Sequence, residues 1–188
     1  VALCFYMASL FRDIIYKVNT NFPIMYIFGV TGSGKTQLSI SMVSMLQKNV
    51  ELSILESTSL FSMGQKMTQS VNDITTFEEY WSTVCREKND LIKGAYDSTG
   101  RTVKDDLTGE RVQFNATTAI IITGQDIPDS DLALLSRMIF LEQYKTARSD
   151  DERTNMRDFK RLRGDGVTSV TLELLPFRDG FRTNWEDA

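Results

Sequence analysis

Eight residues, Gly29 to Thr36, limit the possible folds of this 188-residue chain more than any other segment. They read Gly-Val-Thr-Gly-Ser-Gly-Lys-Thr and fit the pattern G-x-x-x-x-G-K-[ST]. A dense apolar run, Ile24 to Phe28, precedes them, and apolar residues at helical spacing follow from Lys35. A buried strand, a glycine-rich turn and a helix in this order form a loop that binds phosphate groups. We therefore predict a strand, loop and helix unit within an α/β fold.

Each part of this pattern has a chemical role in a P-loop nucleoside triphosphatase. The glycines let backbone N–H groups surround the phosphates of ATP, while Lys35 balances the charge of the β- and γ-phosphates. The hydroxyl of Thr36 ligates Mg²⁺, so ATP and Mg²⁺ are the expected cofactors. The residues predicted to bind the nucleotide are Gly29, Thr31, Gly32, Ser33, Gly34, Lys35 and Thr36. The alternative is a glycine-rich turn that binds no ligand.

Such an ATPase also needs carboxylates at the end of a neighbouring strand. One holds Mg²⁺ through water, and a second activates the attacking water. The pair Glu78 and Glu79 follows an extended segment, Val71 to Phe77. We assign Glu78 to the metal and Glu79 to the water. The alternative is that both glutamates begin a solvated helical turn with Tyr80 and Trp81.

Strands alternate with helices along the chain, which is typical of a parallel sheet covered on both faces. Apolar spacing predicts helices over residues 3–18, 35–47, 60–69, 87–96, 128–136 and 149–163, the last with a capping box at its start. It predicts strands over residues 24–28, 52–55, 71–77, 117–123, 138–141 and 167–175, and a β-hairpin over 101–114. We expect one domain, made of an N-terminal helix that packs on the core (1–20), a P-loop ATPase core (21–146) and a C-terminal helix and strand (147–188). Because Val1 is not methionine, we expect the chain to be a piece of a longer protein.

Composition excludes several other classes of protein. The chain has no histidine, which removes catalytic triads with a histidine base and histidine-ligated zinc. The two cysteines, Cys4 and Cys85, lack motif spacing, and we expect reduced thiols in the core. No apolar run is long enough for a membrane span, so we expect a cytoplasmic protein. The formal net charge of −4 restricts any nucleic-acid contact to a local surface.

Three stretches carry a resemblance to a known family. They are Gly29 to Thr36, Leu91 to Thr102, and Ile120 to Pro128 with the residues that follow as far as Arg137. In this order they resemble the superfamily 3 helicases, and most closely the ATPase module of primase-helicases from phages and mobile elements. The resemblance implies an AAA+-like fold and a homo-oligomeric, hexameric ring that hydrolyses ATP while moving along single-stranded DNA in replication. It is also compatible with a primase domain or partner upstream, although primase activity does not follow from this chain, and it implies a bacterial or phage-infected cell.

The same resemblance implies roles for further residues. Gln125, just past the strand at 117–123, would be the polar sensor of the γ-phosphate, in a place where asparagine is more usual. Arg137 would be an arginine finger that reaches the ATP of the next subunit. In the pore hairpin at 101–114, Lys104 is the first candidate for DNA contact, with Arg101 and Arg111 second. The alternative for Gln125 is a turn residue at the end of a strand. For Arg137 it is a surface ion pair, and for the hairpin it is a solvated hairpin without DNA contact.

The helix at 149–163 carries a basic stripe of Arg153, Arg157, Lys160 and Arg161. The stripe is compatible with contact to DNA, contact to a neighbouring subunit or a solvated helix face. A second arginine-type sensor has three candidates, Lys160, Arg161 and Arg163, and the sequence does not decide among them.

Two rival functions stay open at this point. One is an AAA+ machine that remodels protein, for which an aromatic residue at the hairpin tip would be typical. The other is a nucleotide-controlled binding module that barely hydrolyses ATP.

Overall fold

A computed structural model describes residues 1–47, 49–105, 107–145, 147 and 149–186. The helices are α1 (Ala2–Ser9), α2 (Arg12–Asn19), α3 (Lys35–Ser44), α4 (Leu60–Thr68), α5 (Arg86–Tyr96), α6 (Leu132–Leu135), α7 (Asp150–Asp165), α8 (Ser169–Leu174) and α9 (Arg178–Glu186). The strands are β1 (Ile24–Phe28), β2 (Ser53–Ile54), β3 (Ile74–Tyr80), β4 (Arg101–Lys104), β5 (Arg111–Phe114), β6 (Ala119–Gly124) and β7 (Met138–Glu142).

Five strands form one parallel sheet in the order β2-β3-β6-β1-β7. β1 lies in the interior of the sheet, where Met25 pairs with Ile121 of β6 and Ile24 with Met138 of β7. β4 and β5 form a separate antiparallel hairpin. The predicted α/β fold, with a parallel sheet flanked by helices and a hairpin insertion, is confirmed.

The sheet is apolar on both faces because both faces are covered. Alternate residues of β1 belong to two different core clusters, with Tyr26 on the side of α4 and α5 and Met25 on the side of α1, α2 and α3. Every residue of β6 is buried, including the apolar run Ile120 to Ile122. Full burial of one such side chain contributes about 1.5–3 kcal/mol. These two central strands fix the edge at which the phosphate loop emerges.

The N-terminal segment is two helices rather than the one predicted over residues 3–18. The chain breaks between α1 and α2 at Leu10 and Phe11, and the Phe11 ring stacks on Phe181 of α9 at a centroid distance of 4.5 Å. Met7 and Val18, predicted on the inner face, are exposed. The segment packs on the core, as expected.

The strand predicted at 167–175, as part of the C-terminal extension, is wrong. Residues Ser169–Leu174 form helix α8, followed by a 3₁₀ turn, Leu175–Phe177, and by α9. Thr171 and Leu174 lie three residues apart on one helical face, where Thr171 bonds to Tyr6 and Leu174 packs on the core cluster of α1 to α3. Tertiary contacts thus override the strand preference of the sequence. The capping box of Ser149 and Glu152 at the start of α7 is confirmed.

Cys4 and Cys85 are both exposed, which corrects the expectation of core thiols. Cys4 lies on the outer face of α1, and Cys85 precedes α5 at its N-cap position. Within the described ranges, no helix combines the length and apolar character needed to cross a bilayer.

Candidate nucleotide-binding site

The phosphate loop connects the carboxyl end of β1 to α3. Gly29 approaches the chain after β7 so closely that a Cβ there would lie 2.2 Å from the carbonyl oxygen of Gln143. Gly34 has φ +102° immediately before the helix, a conformation that favours glycine. The loop encloses a cavity of ≈ 260 Å³, which is lined by Gly32, Gly34, Lys35, Thr36 and Gln37. Gly32, Gly34, Lys35 and Thr36, four of the seven predicted nucleotide-binding residues, therefore line one cavity at a helix N-terminus, the geometry that favours phosphate.

Lys35 is held at the base of the loop. Its Nζ donates to the carbonyl oxygens of Gly29 at 2.6 Å and Val30 at 3.1 Å. Burial lowers the pKa of Lys35, and the nearby negative charge of Glu78 opposes that shift. Among the described residues the ammonium thus donates to carbonyl oxygens alone, which a phosphate oxygen can replace.

Glu78 meets the first turn of α3. Thr36 Oγ1 donates to Glu78 Oε2 over 2.5 Å, and Ser39 Oγ donates to Oε1 over 2.9 Å. The Glu78 residue is only 5% exposed. A hydroxyl and a carboxylate at hydrogen-bond distance form the oxygen donor set that Mg²⁺ takes, with water completing its shell. The residues present therefore fit the ion that the phosphate loop implies.

Glu78 and Glu79 together form a β-bulge in β3. β3 pairs with β6 at Phe77 opposite Ile122 and again at Tyr80 opposite Gly124, so two residues of β3 oppose one of β6. Glu79 has φ +61° and is exposed, whereas Glu78 is turned toward α3. The alternative of a solvated helical turn is wrong, since both glutamates lie in a strand. The bulge leaves Glu79 free to face a bound ligand at this edge.

Gln125 reaches the phosphate loop from the end of β6. Its Oε1 accepts a hydrogen bond of 2.9 Å from Thr31 Oγ1. This contact connects the end of β6 to the loop across the edge of the sheet. Gln125 is exposed, so its amide is accessible to a ligand in the loop.

Asp126 fixes the chain next to Gln125, and sequence reasoning missed it. Its carboxylate accepts hydrogen bonds from Ser82 N at 3.0 Å and Ser82 Oγ at 2.9 Å, and its backbone carbonyl accepts one from the Tyr26 hydroxyl. The bond from the Ser82 backbone, with that from its hydroxyl, lowers the pKa of Asp126. Ser82 lies two residues after the end of β3, so Asp126 ties the carboxyl ends of β3 and β6 together.

Arg137 lies at the opposite edge of the sheet. Its backbone carbonyl accepts a hydrogen bond from Ile24 N at the start of β1, whereas the phosphate loop follows the end of β1. The five residues of β1, at about 3.3 Å each, put about 16 Å between the Arg137 carbonyl and the start of the phosphate loop. The guanidinium bonds to the Ala133 carbonyl at 2.5 Å and lies 5.4 Å from the centroid of the Tyr96 ring. Among the described residues no carboxylate forms an ion pair with Arg137, so a surface ion pair is not found there.

The hairpin of β4 and β5 is docked on α4 and α5. Lys104 and Arg111 pair across the ladder and both are exposed. Arg101 instead forms an ion pair of 3.1 Å with Asp90 of α5. At the tip, Leu107 is 96% exposed. The structure thus presents Lys104 and Arg111 together and holds Arg101 against the core.

Helix α7 has no buried residue, and the members of the predicted basic stripe are exposed. Arg153 pairs with Asp150 at 3.2 Å and Arg161 with Asp158 at 4.0 Å. Arg163 lies apart from the stripe, and its guanidinium donates to Gln37 Oε1 and Ser41 Oγ of α3, each at 3.4 Å. Of the three residues left open as a second sensor, Arg163 contacts the helix that follows the phosphate loop.

Comparison with known proteins places the fold. No family model and no curated protein matches the sequence. Among solved structures, the active helicase Cch of SCCmec type IV is similar with a TM-score of 0.66 and 15% identity over 97% of this chain and 35% of that one. The chain therefore has a helicase-like P-loop ATPase fold.

Two further structures have TM-scores below 0.5, too low to establish a shared fold. A JCV helicase with a bound acetamide compound gives 0.49 at 14% identity over 94% of this chain and 55% of that one. NtrX from Brucella abortus in complex with ATP gives 0.48 at 14% identity over 81% and 38%. The chain spans about a third to a half of the lengths of these structures.

Proposed function

We propose that this chain is the ATPase module of a ring-forming, superfamily 3-like DNA helicase that hydrolyses ATP with Mg²⁺ during replication. The observation that carries the proposal is that Lys35, Glu78 and Gln125 all contact residues of the phosphate loop, at the carboxyl ends of β1, β3 and β6. The likeness to an active helicase supports the fold that this proposal requires.

In the proposed mechanism the side chains divide the chemistry of phosphoryl transfer among them. Lys35 exchanges the carbonyls of Gly29 and Val30 for oxygens of the β- and γ-phosphates. Thr36 and Glu78 hold Mg²⁺, which when bound offsets the negative charge that develops on the phosphates. Glu79 accepts a proton from the attacking water, and Gln125 orients that water toward the γ-phosphate.

The catalytic set is completed by a second copy of the chain. Arg137 is about 16 Å from its own phosphate loop by strand length, so in this proposal it acts on the ATP of a neighbouring subunit. A finger supplied in this way is worth roughly 10³ to 10⁵ in rate. A hexameric ring is the arrangement that gives each ATP one such arginine.

DNA contact is assigned to the exposed face of the hairpin. Lys104 and Arg111 offer two cations to a phosphate backbone, and contacts of this kind do not depend on base sequence. Arg101 is the weaker candidate, since Asp90 already neutralises it. A few phosphate contacts in each subunit suffice when the ring repeats them, even though the chain carries a formal net charge of −4.

The experiment is steady-state ATPase activity with and without single-stranded DNA. The wild type should be stimulated by DNA, and Lys104→Ala and Arg111→Ala should each lose most of that stimulation and reduce its salt dependence. Arg182→Ala, a cation removed from α9, serves as the charge-matched control. Equal rates with and without DNA would contradict the helicase assignment.

One observation favours a second candidate function. The apolar side chain of Leu107 at the hairpin tip is 96% exposed, although it is not aromatic, and it would suit a pore that grips polypeptide. ATPase activity stimulated by an unfolded polypeptide, and not by single-stranded DNA, would favour this protein-remodelling function.

A further inference from the structure

The segment after β7 passes directly against the phosphate loop. Gln143 N donates to the Phe28 carbonyl at 2.8 Å, which extends the pairing of β7 with β1 by one residue. The Gln143 carbonyl then lies where a side chain on Gly29 would clash. Backbone contacts on both sides therefore fix the point from which the chain continues across the loop.

Lys145, two residues further on, places its ammonium beside the loop. Its Cε and Nζ both lie 3.8 Å from the position that a Cβ on Gly32 would occupy. Gly32, with φ +78°, lines the same cavity as Lys35 and Thr36. Lys145 is exposed, and it has no ion pair with any carboxylate among the described residues. An unneutralised cation thus lies beside Gly32, one of the residues that line the cavity.

We propose that Lys145 supplies a second positive charge, in addition to Lys35, to the phosphates of the nucleotide bound by its own subunit. The inference rests on the proposed function, because it needs a nucleotide in the loop. Lys35 alone faces a site that already contains the negative charge of Glu78. A second cation offsets part of the repulsion between that carboxylate and a bound diphosphate or triphosphate.

The position of Lys145 indicates which phosphates it contacts. Backbone N–H groups in the middle of such a loop cradle the α- and β-phosphates, and Gly32 occupies that place. Lys145 should therefore strengthen ADP and ATP binding alike and AMP binding little. An interaction made equally in the ground state and the transition state raises KM when it is lost and leaves kcat almost unchanged.

The test is the dissociation constant of ADP, and separately of AMP, measured by calorimetry on the whole chain. Lys145→Gln should weaken ADP binding by roughly three- to tenfold at about 0.05 M salt, and by less at about 0.5 M, because an exposed charge is screened. AMP binding should change by less than about twofold, and Lys145→Arg should restore ADP binding. Lys66→Gln is the charge-matched control, since Lys66 pairs with Glu51 beside the start of β3, at the other edge of the sheet.

The outcomes separate this inference from the proposed function. If the wild type binds ADP and Lys145→Gln binds it equally well, the role of Lys145 is overturned and the ATPase proposal stands. If Lys66→Gln weakens ADP binding as much as Lys145→Gln, the effect is one of net charge, and the role is again overturned. If the wild type binds neither ADP nor ATP, both proposals fail.

Discussion

Two neighbouring carboxylates, Glu78 and Glu79, have different surroundings because β3 bulges between Phe77 and Tyr80. Glu78 is buried against two hydroxyls of α3, whereas Glu79 is exposed in a left-handed conformation. A non-glycine residue there costs of order 1–3 kcal/mol and persists only where neighbouring structure enforces it. The bulge thus gives the two carboxylates different surroundings, which suits the proposed roles of one metal ligand and one general base.

The sequence predicts this pair as the acidic residues of the site but does not predict its geometry. An acidic pair after an extended segment is a local signal, whereas a bulge depends on the register between β3 and β6. Asp126 gave no local signal at all, because its partner Ser82 is 44 residues away along the chain. Gln125 was found through family resemblance, and its bond to Thr31 emerged only from the fold.

Removing the Asp126 carboxylate should slow catalysis without abolishing nucleotide binding. Asp126→Ala loses two hydrogen bonds to Ser82, which frees the chain that carries Gln125. We expect kcat for ATP hydrolysis to fall roughly tenfold with little change in KM. Asp129→Ala, an exposed carboxylate in the same loop, is the control. An unchanged kcat in Asp126→Ala would show that this link does not position the sensor.

At the scale of elements, the strongly apolar or capped segments were predictable and those that depend on distant contacts were not. β1 and β6 are continuous apolar runs, and α7 begins at a capping box, so each carries its own signal. Residues Ser169–Leu174 read as a strand because β-branched residues prefer sheets. They form a helix because contacts with α1 and the end of α3 compensate for that preference.

The hairpin packs closely on α4 at Gly64, where there is no room for a side chain. A Cβ on Gly64 would lie 2.2 Å from the Phe114 ring, which anchors β5 in the core. Gly64→Ala should destabilise the fold by about 1–3 kcal/mol through overpacking, despite the better helix propensity of alanine. Gly94→Ala in α5 is the matched control, since its nearest atom would be 3.9 Å away, and it should be neutral or stabilising. Urea unfolding measures the free energy of unfolding of both variants. Equal values would contradict the close packing of Phe114 on Gly64.

At the scale of the whole molecule, the two parts of the proposed composite site, the phosphate loop and Arg137, lie at opposite ends of β1. The phosphate loop follows β1, and Arg137 precedes β7 at the far end. Sequence order alone does not give this separation, because it follows from the parallel pairing of two strands that are distant in the chain. The separation is what makes a ring the natural assembly for the proposed activity.

Mixing two inactive variants should restore activity if Arg137 acts between subunits. Lys35→Ala and Arg137→Ala should each reduce ATP turnover by roughly 10³ or more when assayed alone. A mixture allows an intact loop of one variant to meet an intact Arg137 of the other. Random assembly gives this pairing at roughly a quarter of interfaces in a ring, with activity in proportion. A mixture no more active than its components would contradict action in trans.

The central claim is that the site at the phosphate loop hydrolyses ATP with Glu79 as the general base. The most direct test is the rate of ATP turnover by Glu79→Gln. With single-stranded DNA present, we expect the wild type to turn over ATP and Glu79→Gln to be slower by roughly 10²-fold or more. The variant should still bind ADP, because Lys35, Thr36 and Glu78 are unchanged. Equal turnover in the two proteins, or no turnover by the wild type at high protein concentration, would contradict the account.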